Sequence, residues 1–254
     1  MSVTIKTARE IEKMREAGRL LEQVHDELEN FIRPGVSTLE IDQLGEKIIR
    51  QMGCIPNFLH YNGYPASICV SLNQEVVHGI PDKHRLIQDG DIVSLDAGVI
   101  YKGYHSDAAR TYGVGEISKE AKNLMQITKE CFFEGIKYAR EGNHLFDISG
   151  AIGRYAEERG YGVVRDLCGH GIGTALHEAP EIPNYEVGRK GVKLRPGMTL
   201  AIEPMINIGT YEVDWLDDDW TVVTRDGSLS AHYENTILIT EGEPRILSLT
   251  CDNE

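Results

Sequence analysis

Four carboxylates in this chain sit inside or beside apolar runs. Asp96 lies in SLDAGV and Glu203 in LAIEPM, while Asp107 and Glu234 each follow a histidine by two residues, His105 and His232. Such runs read as buried strands, where an unpaired carboxylate is costly. A single acid on a strand is ordinarily solvated or salt-bridged. Four of them in one place would repel one another and take up protons unless cations neutralise them. Divalent metals bound through carboxylate oxygen do this. Adding His170 makes five ligands, a set suited to two metals ~3.5–4 Å apart with bridging carboxylates and room left for water and substrate. Mn, Fe, Co and Zn all accept a mixed carboxylate and imidazole set, and the spacing does not choose among them.

The elements that must position these residues occur twice. Residues 8–30 and 119–140 each read as a helix, the first with Ile11, Met14, Ala17 and Leu21 on one face. A turn glycine follows each, Gly35 and Gly142, and each turn opens a second helix. The first of these begins with the capping box Ser37-x-x-Glu40 and carries Ile41, Leu44, Ile48 and Met52 on one face; the other runs to about Arg159. Gly35 to Gly142 is a step of 107 residues, and so is Gly90 to Gly197. Gly90 and Gly197 each open a strand, DIVSLD or MTLAIE, that ends in a carboxylate, Asp96 or Glu203, six residues after the glycine. His-Gly-Ile stands before each strand, at 78–80 and 170–172, and His-x-acid after it, at 105–107 and 232–234. The expectation is one α+β domain over 1–254, made of two related halves, about 7–115 and 118–242, around an approximate twofold.

The remaining features mostly exclude. The chain has 254 residues, 41% hydrophobic and 26% charged, with a formal charge of −14. That balance suits a globular protein and disfavours broad or sequence-specific binding of nucleic acid, which rests on Lys and Arg. No signal peptide and no apolar run of ~20 residues is visible, so no membrane partner is expected. The five cysteines, Cys54, Cys69, Cys131, Cys168 and Cys251, are odd in number and scattered, as expected in the reducing cytoplasm. There is no C-x-x-C pair, dinucleotide fingerprint, G-x-S-x-G elbow or P-loop. His105 and His232 share a strand face with their acids and read equally well as partners of the ligands or as ordinary polar residues. His25, His60, His84 and His144 have polar neighbours and read as surface.

In order along the chain, HGIP (78–81), SLDAGVIYKGYHSDAART (94–111), GHGIGTALHEAP (169–180), AIEPM (201–205) and HYENTILIT (232–240) resemble type I methionine aminopeptidases, over about residues 5–249. The resemblance implies the pita-bread fold and an enzyme, a cytoplasmic monomer that removes the N-terminal methionine of nascent chains whose second residue is small. It implies Asp96, Asp107, His170, Glu203 and Glu234 as ligands of two divalent ions, and His78 and His177 as catalytic, substrate-side histidines. It places the methionine pocket at Phe58, Tyr61, Tyr64, Cys69, His78 and Trp220, where aromatic rings and a soft sulfur suit a thioether. Tyr61 and Cys69 read alone would be plain core. Phe58 stands where some relatives have cysteine and Leu176 where some have phenylalanine, which bears on pocket shape and not on the ligands. The chain starts at the catalytic domain, without the zinc-finger extension of eukaryotic forms. The 25 residues between His177 and Glu203 leave no room for the helical insert of type II enzymes.

The mechanism implied is attack by a hydroxide bridging the metals, with Glu203 shuttling the proton, His177 donating to the oxyanion and His78 orienting the scissile nitrogen or second residue. Two other readings share the motifs: an X-Pro aminopeptidase or prolidase, which usually carries a further N-terminal domain, and a non-catalytic pita-bread binding module, which typically loses ligands. Finally, Arg189, Lys190, Lys193 and Arg195 put four cations into YEVGRKGVKLRPG, read as a hairpin loop before the Glu203 strand. It is either a solvated turn or a basic spot that touches ribosomal RNA phosphate.

Overall fold

The computed structural model describes residues 3–249; Cys251 lies outside them. Four α-helices cover strands that, among the described residues, form four sheets; the two largest, of four and five strands, are the two groups that bring the acids together. Helix α1, Ala8–Phe31, is opened by Thr7, whose amide donates to the Glu10 carboxylate. Met14, Ala17, Leu21, Val24 and Leu28 repeat every three or four residues and are all fully buried. Each large one contributes roughly 1.5–3 kcal/mol by leaving water. Helix α2, Thr38–Gln51, has the expected capping box: the Glu40 amide donates to Ser37 Oγ, and the Ser37 amide donates back to the Glu40 carboxylate. Helices α3, Lys119–Ile136, and α4, Leu145–Glu157, form the second pair. Helix α3 stops four residues before the expected 140, because the Tyr138 and Ala139 amides turn back to carbonyls three residues earlier, at Gly135 and Ile136.

Each helix pair lies on its own strands. One core joins α1 and α2 to the strands Ile68–Leu72 and Ile92–Tyr101 through residues such as Leu21, Ile49, Ile68 and Leu95. Another joins α3 and α4 to the later strands through Leu124, Phe132, Ile152, Leu200 and Ile237. In the first group, Ile92–Tyr101 and Tyr104–Gly113 form a long antiparallel hairpin across Lys102 and Gly103. Both turn residues have positive φ, 49° and 79°, as a tight two-residue hairpin turn requires. In the second group the order is Arg245–Ile246, Asn235–Leu238, Thr199–Ile202, Gly169–Gly171, Glu178–Ile182. Every strand pairing among the described residues is antiparallel.

Three further expectations are corrected. The Asp96 strand does not end at Asp96 but runs on to Tyr101. His25 is buried, with 4% of its surface exposed, because it follows Leu21 by one helical turn on the inner face of α1; its Nε2 meets the Ala108 carbonyl at 2.9 Å. Residues 185–197 form no hairpin. They lie along the start of α4, where the amides of Leu145 and Phe146 donate to the Val192 and Lys190 carbonyls. Gly188 and Gly191, both at positive φ, turn the chain there.

Candidate metal centre

Register explains how the acids meet. Asp96 pairs with Cys69 on one side and Ala109 on the other, and Asp107 pairs with Gly98. Directly paired residues project to the same face, and so do residues two apart. Cys69, Asp96, Asp107 and His105 therefore share a face. In the second group Asn235 pairs with Ile202 and His170 with Ala201. One step beyond, Glu203 and Glu234 stand opposite each other. Glu203 follows the strand immediately because Pro204 has no N–H to continue it.

The two groups are joined at these acids. The Asp107 amide donates to Thr236 Oγ1 at 3.0 Å, and the Thr236 hydroxyl donates to the Asp107 carbonyl at 2.9 Å. Arg110 donates to the Glu234 carbonyl and, at 2.6 Å, to Asn235 Oδ1. As a result Asp107, His170 and Glu234 each offer a donor atom within 4.8 Å of the others. His170 Nε2 is 3.8 Å from Asp107 Oδ2 and 3.6 Å from Glu203 Oε1. His170 itself is held between two glycines, Gly169 and Gly171, whose added Cβ atoms would come within 2.4 Å of the Ala201 carbonyl oxygen and 2.2 Å of that of Ala179.

Burial pushes the carboxyls up. Asp96 rises to about 7. Asp107, Glu203 and Glu234 rise well above the carboxylate range, through burial first and then the charges of their neighbours, Asp96 among them in each case. Burial also holds His170 down to about 3, so its imidazole is neutral. Asp96 Oδ1, Asp107 Oδ1 and Glu234 Oε1 are buried without a hydrogen-bond partner. Oxygen donors that repel one another and lack protein partners, beside a neutral imidazole, fit divalent cations.

All twelve residues singled out from the sequence line one cavity of about 280 Å³. The four acids and the His170 imidazole form one part of it. Phe58, Tyr64, Cys69 and Trp220 form an apolar wall with Leu176, and Trp220 meets Tyr64 edge to face at 5.1 Å. His78 faces Trp220 at 6.2 Å and takes a left-handed φ of 59°. The next residue, Gly79, is required there, since a Cβ would stand 2.3 Å from the Val70 carbonyl oxygen. His177 packs against His170 with ring centroids 4.2 Å apart, and its Nδ1 meets the Tyr61 hydroxyl at 2.6 Å. Glu178 fixes the turn that presents His177 by accepting from the amides of Thr174 and Ala175 and from buried Lys6. Asn62, Val77, Leu167, Cys168 and Met205 also line the cavity and were not foreseen. Cys168 was reachable from the sequence, since it lies two residues before His170. His232, left open between two readings, is 3.7 Å from Glu203 through Nε2.

The fold and the cavity define a metal-dependent hydrolase. The sequence pattern of metallopeptidase family M24 matches residues 12–241, and the chain belongs to that family. Methionine aminopeptidase of Clostridium acetobutylicum is 53% identical over 247 residues, which cover 97% of this chain and 99% of that protein. Methionine aminopeptidase 1 of Bacillus subtilis is 51% identical over 94% of this chain and 96% of its own length. Among solved structures, methionine aminopeptidase from Thermotoga maritima superposes with a TM-score of 0.95 at 45% identity, covering 97% of this chain and 99% of that one. A Xaa-Pro dipeptidase from Bacillus anthracis reaches 0.77 at 28% identity, and the match spans 97% of this chain but only 62% of the dipeptidase.

Proposed function

We propose that this chain removes the N-terminal methionine from peptides and nascent proteins whose second residue is small. One observation carries the reading: a cluster of four carboxylates and a neutral imidazole shares a single cavity with an aromatic wall that includes one buried thiol. Asp96, Asp107, His170, Glu203 and Glu234 would hold two divalent ions from among Co, Mn, Fe and Zn. Bound there, such ions would polarise the scissile carbonyl and acidify water. Glu203, a carboxylate lining the cavity, would take a proton and return it to the leaving nitrogen. His177 donates a hydrogen bond to the developing oxyanion. His78, at the wall with Trp220, orients the scissile nitrogen or the second residue. Phe58, Tyr61, Tyr64, Cys69 and Trp220 receive the thioether.

The full-length match to methionine aminopeptidases supports this reading over an X-Pro peptidase, whose solved relatives are longer chains. All five expected ligands are present, which speaks against a non-catalytic binding module. We read the whole chain as one catalytic domain of two related halves, acting as a monomer in the cytoplasm; the four described cysteines are free thiols. Arg189, Lys190, Lys193 and Arg195 are exposed and line no part of the cavity, so a ribosome contact through them would leave catalysis alone. The deciding experiment compares Met-Ala-Ser with Ala-Pro-Ala after metal reconstitution. Methionine release from the first alone supports the proposal, and preferential cleavage of the second replaces it with the X-Pro reading.

A further inference from the structure

Tyr61 does more than wall the cavity. Its hydroxyl lies 2.6 Å from His177 Nδ1, with the rings 5.2 Å apart. A phenol is a good donor and a weak acceptor, whereas an unprotonated imidazole nitrogen is a good acceptor. The Tyr61 O–H therefore donates and Nδ1 accepts. A neutral ring bonded in this way must carry its proton on Nε2. A nitrogen without a proton at Nε2 could not donate to an oxyanion at all.

The backbone holds Tyr61 in place for this task. The Tyr61 amide donates to the Phe58 carbonyl at 2.9 Å, and the Tyr64 amide donates to the Tyr61 carbonyl at 2.9 Å. His60, Asn62 and Gly63 around it all take positive φ, 67°, 50° and 94°. The turn is thus tied to two residues of the apolar wall, and its conformation aims the Tyr61 ring at His177. On the His177 side, the Glu178 carboxylate fixes the turn from Thr174 onwards.

We propose that Tyr61 is a positioning residue that selects the Nε2-protonated tautomer of His177 and so makes it an oxyanion donor. The inference rests on the role given to His177 above. Its test is Tyr61→Phe, which keeps the ring and removes only the hydroxyl. Long-range proton–nitrogen NMR of ¹⁵N-histidine-labelled protein reads the tautomer directly, the His177 signals being assigned by their loss in His177→Gln. The wild type should show an Nε2-protonated ring, and Tyr61→Phe should show the other tautomer or a mixture. On Met-Ala-Ser, Tyr61→Phe should lose about 10-fold in kcat, the size of one neutral hydrogen bond, with KM within about twofold. A wild-type His177 protonated on Nδ1 overturns the proposal with no variant needed. So does a folded Tyr61→Phe with an unchanged tautomer. If the wild type releases no methionine, the functional reading falls while the NMR result still judges Tyr61.

Discussion

Ala109 and Glu234 pair backbone to backbone. The Glu234 amide donates to the Ala109 carbonyl at 3.0 Å, and the Ala109 amide donates to the Glu234 carbonyl at 3.4 Å. This pairing is the seam between the strand that carries Asp107 and the strand that follows Glu234. Arg110 reinforces it from behind, bonding Glu234, Asn235 and the Ser248 carbonyl while its guanidinium lies 4.7 Å from the centre of the Tyr233 ring. Arg110→Ala removes these charged donors and leaves the Glu234 carbonyl only the Ala109 amide and Asn235 Oδ1 only the Ser248 hydroxyl. A loss of about 2–3 kcal/mol in denaturant unfolding is expected, with weaker metal binding, since Asp107 and Glu234 would no longer be held together. An unchanged unfolding midpoint would show the seam holds without Arg110.

The acids also set a pH dependence. In the metal-free protein Asp96 is raised to about 7, and Asp107, Glu203 and Glu234 higher than usual, whereas unfolded carboxyls titrate near ~4. The folded state thus binds more protons than the unfolded one between about pH 4 and at least 7. Stability from this cluster is full below about pH 4 and is lost as pH rises. Buried histidines held low, His25, His78, His170 and His232, act in the opposite sense below about pH 6.5, so the cluster is read by difference. Between pH 5 and pH 7.5 the chelated wild type should lose stability relative to chelated Asp107→Asn, which keeps those histidines and lacks one raised carboxyl. Metal binding must expel these protons, so calorimetry in two buffers of different ionisation enthalpy should show proton release at pH 6.5. Binding with no release would contradict the raised carboxyls. His170, held down to about 3, should contribute none.

The glycines beside His170 are a steric requirement. Gly171→Ala would drive a Cβ against the Ala179 carbonyl, which is backbone and cannot turn aside. A loss of roughly 1–3 kcal/mol is expected, as for other overpacked sites, together with displaced metal binding. Wild-type affinity for metal in Gly171→Ala would show that the strand adjusts freely.

His177 should matter more to turnover than to binding. His177→Ala should lower kcat by ~10²–10³ with a smaller change in KM. An unchanged kcat would reduce His177 to a packing residue.

Much of this site was legible because strands and helices have fixed periods. His105 and Asp107 had to share a face once their strand was placed, and α1 and α2 each had an apolar stripe. That Cys69 and Asp96 join that face follows from the register of three paired strands, which local pattern does not encode. His25 was misread because its sequence neighbours are polar, although its helical neighbour Leu21 is buried. The loop carrying Arg189 to Arg195 was misread because its partner is the start of α4, a contact that turn residues alone do not encode. The Tyr61 to His177 bond spans 116 positions and no local pattern foretells it.

That loop makes a further claim testable. None of its four cations enters an ion pair among the described residues, and Arg189 lies over the Phe146 ring. If they meet ribosomal phosphate, co-sedimentation should weaken with salt, and changing all four to Ser should reduce that slope by ~0.7–0.9 per lost contact while Met-Ala-Ser cleavage stays the same. Equal ribosome affinity of both proteins at low salt would leave the loop a solvated turn.

The central claim is that Asp107 belongs to a shared metal centre that performs the hydrolysis. Asp107→Asn keeps the shape of the side chain and leaves the Thr236 bonds, which use the Asp107 backbone, intact. The decisive measurement is methionine release from Met-Ala-Ser by metal-saturated, folded Asp107→Asn protein. The expected result is no turnover above background. Wild-type turnover in that variant would contradict the ligand assignment and the mechanism built on it.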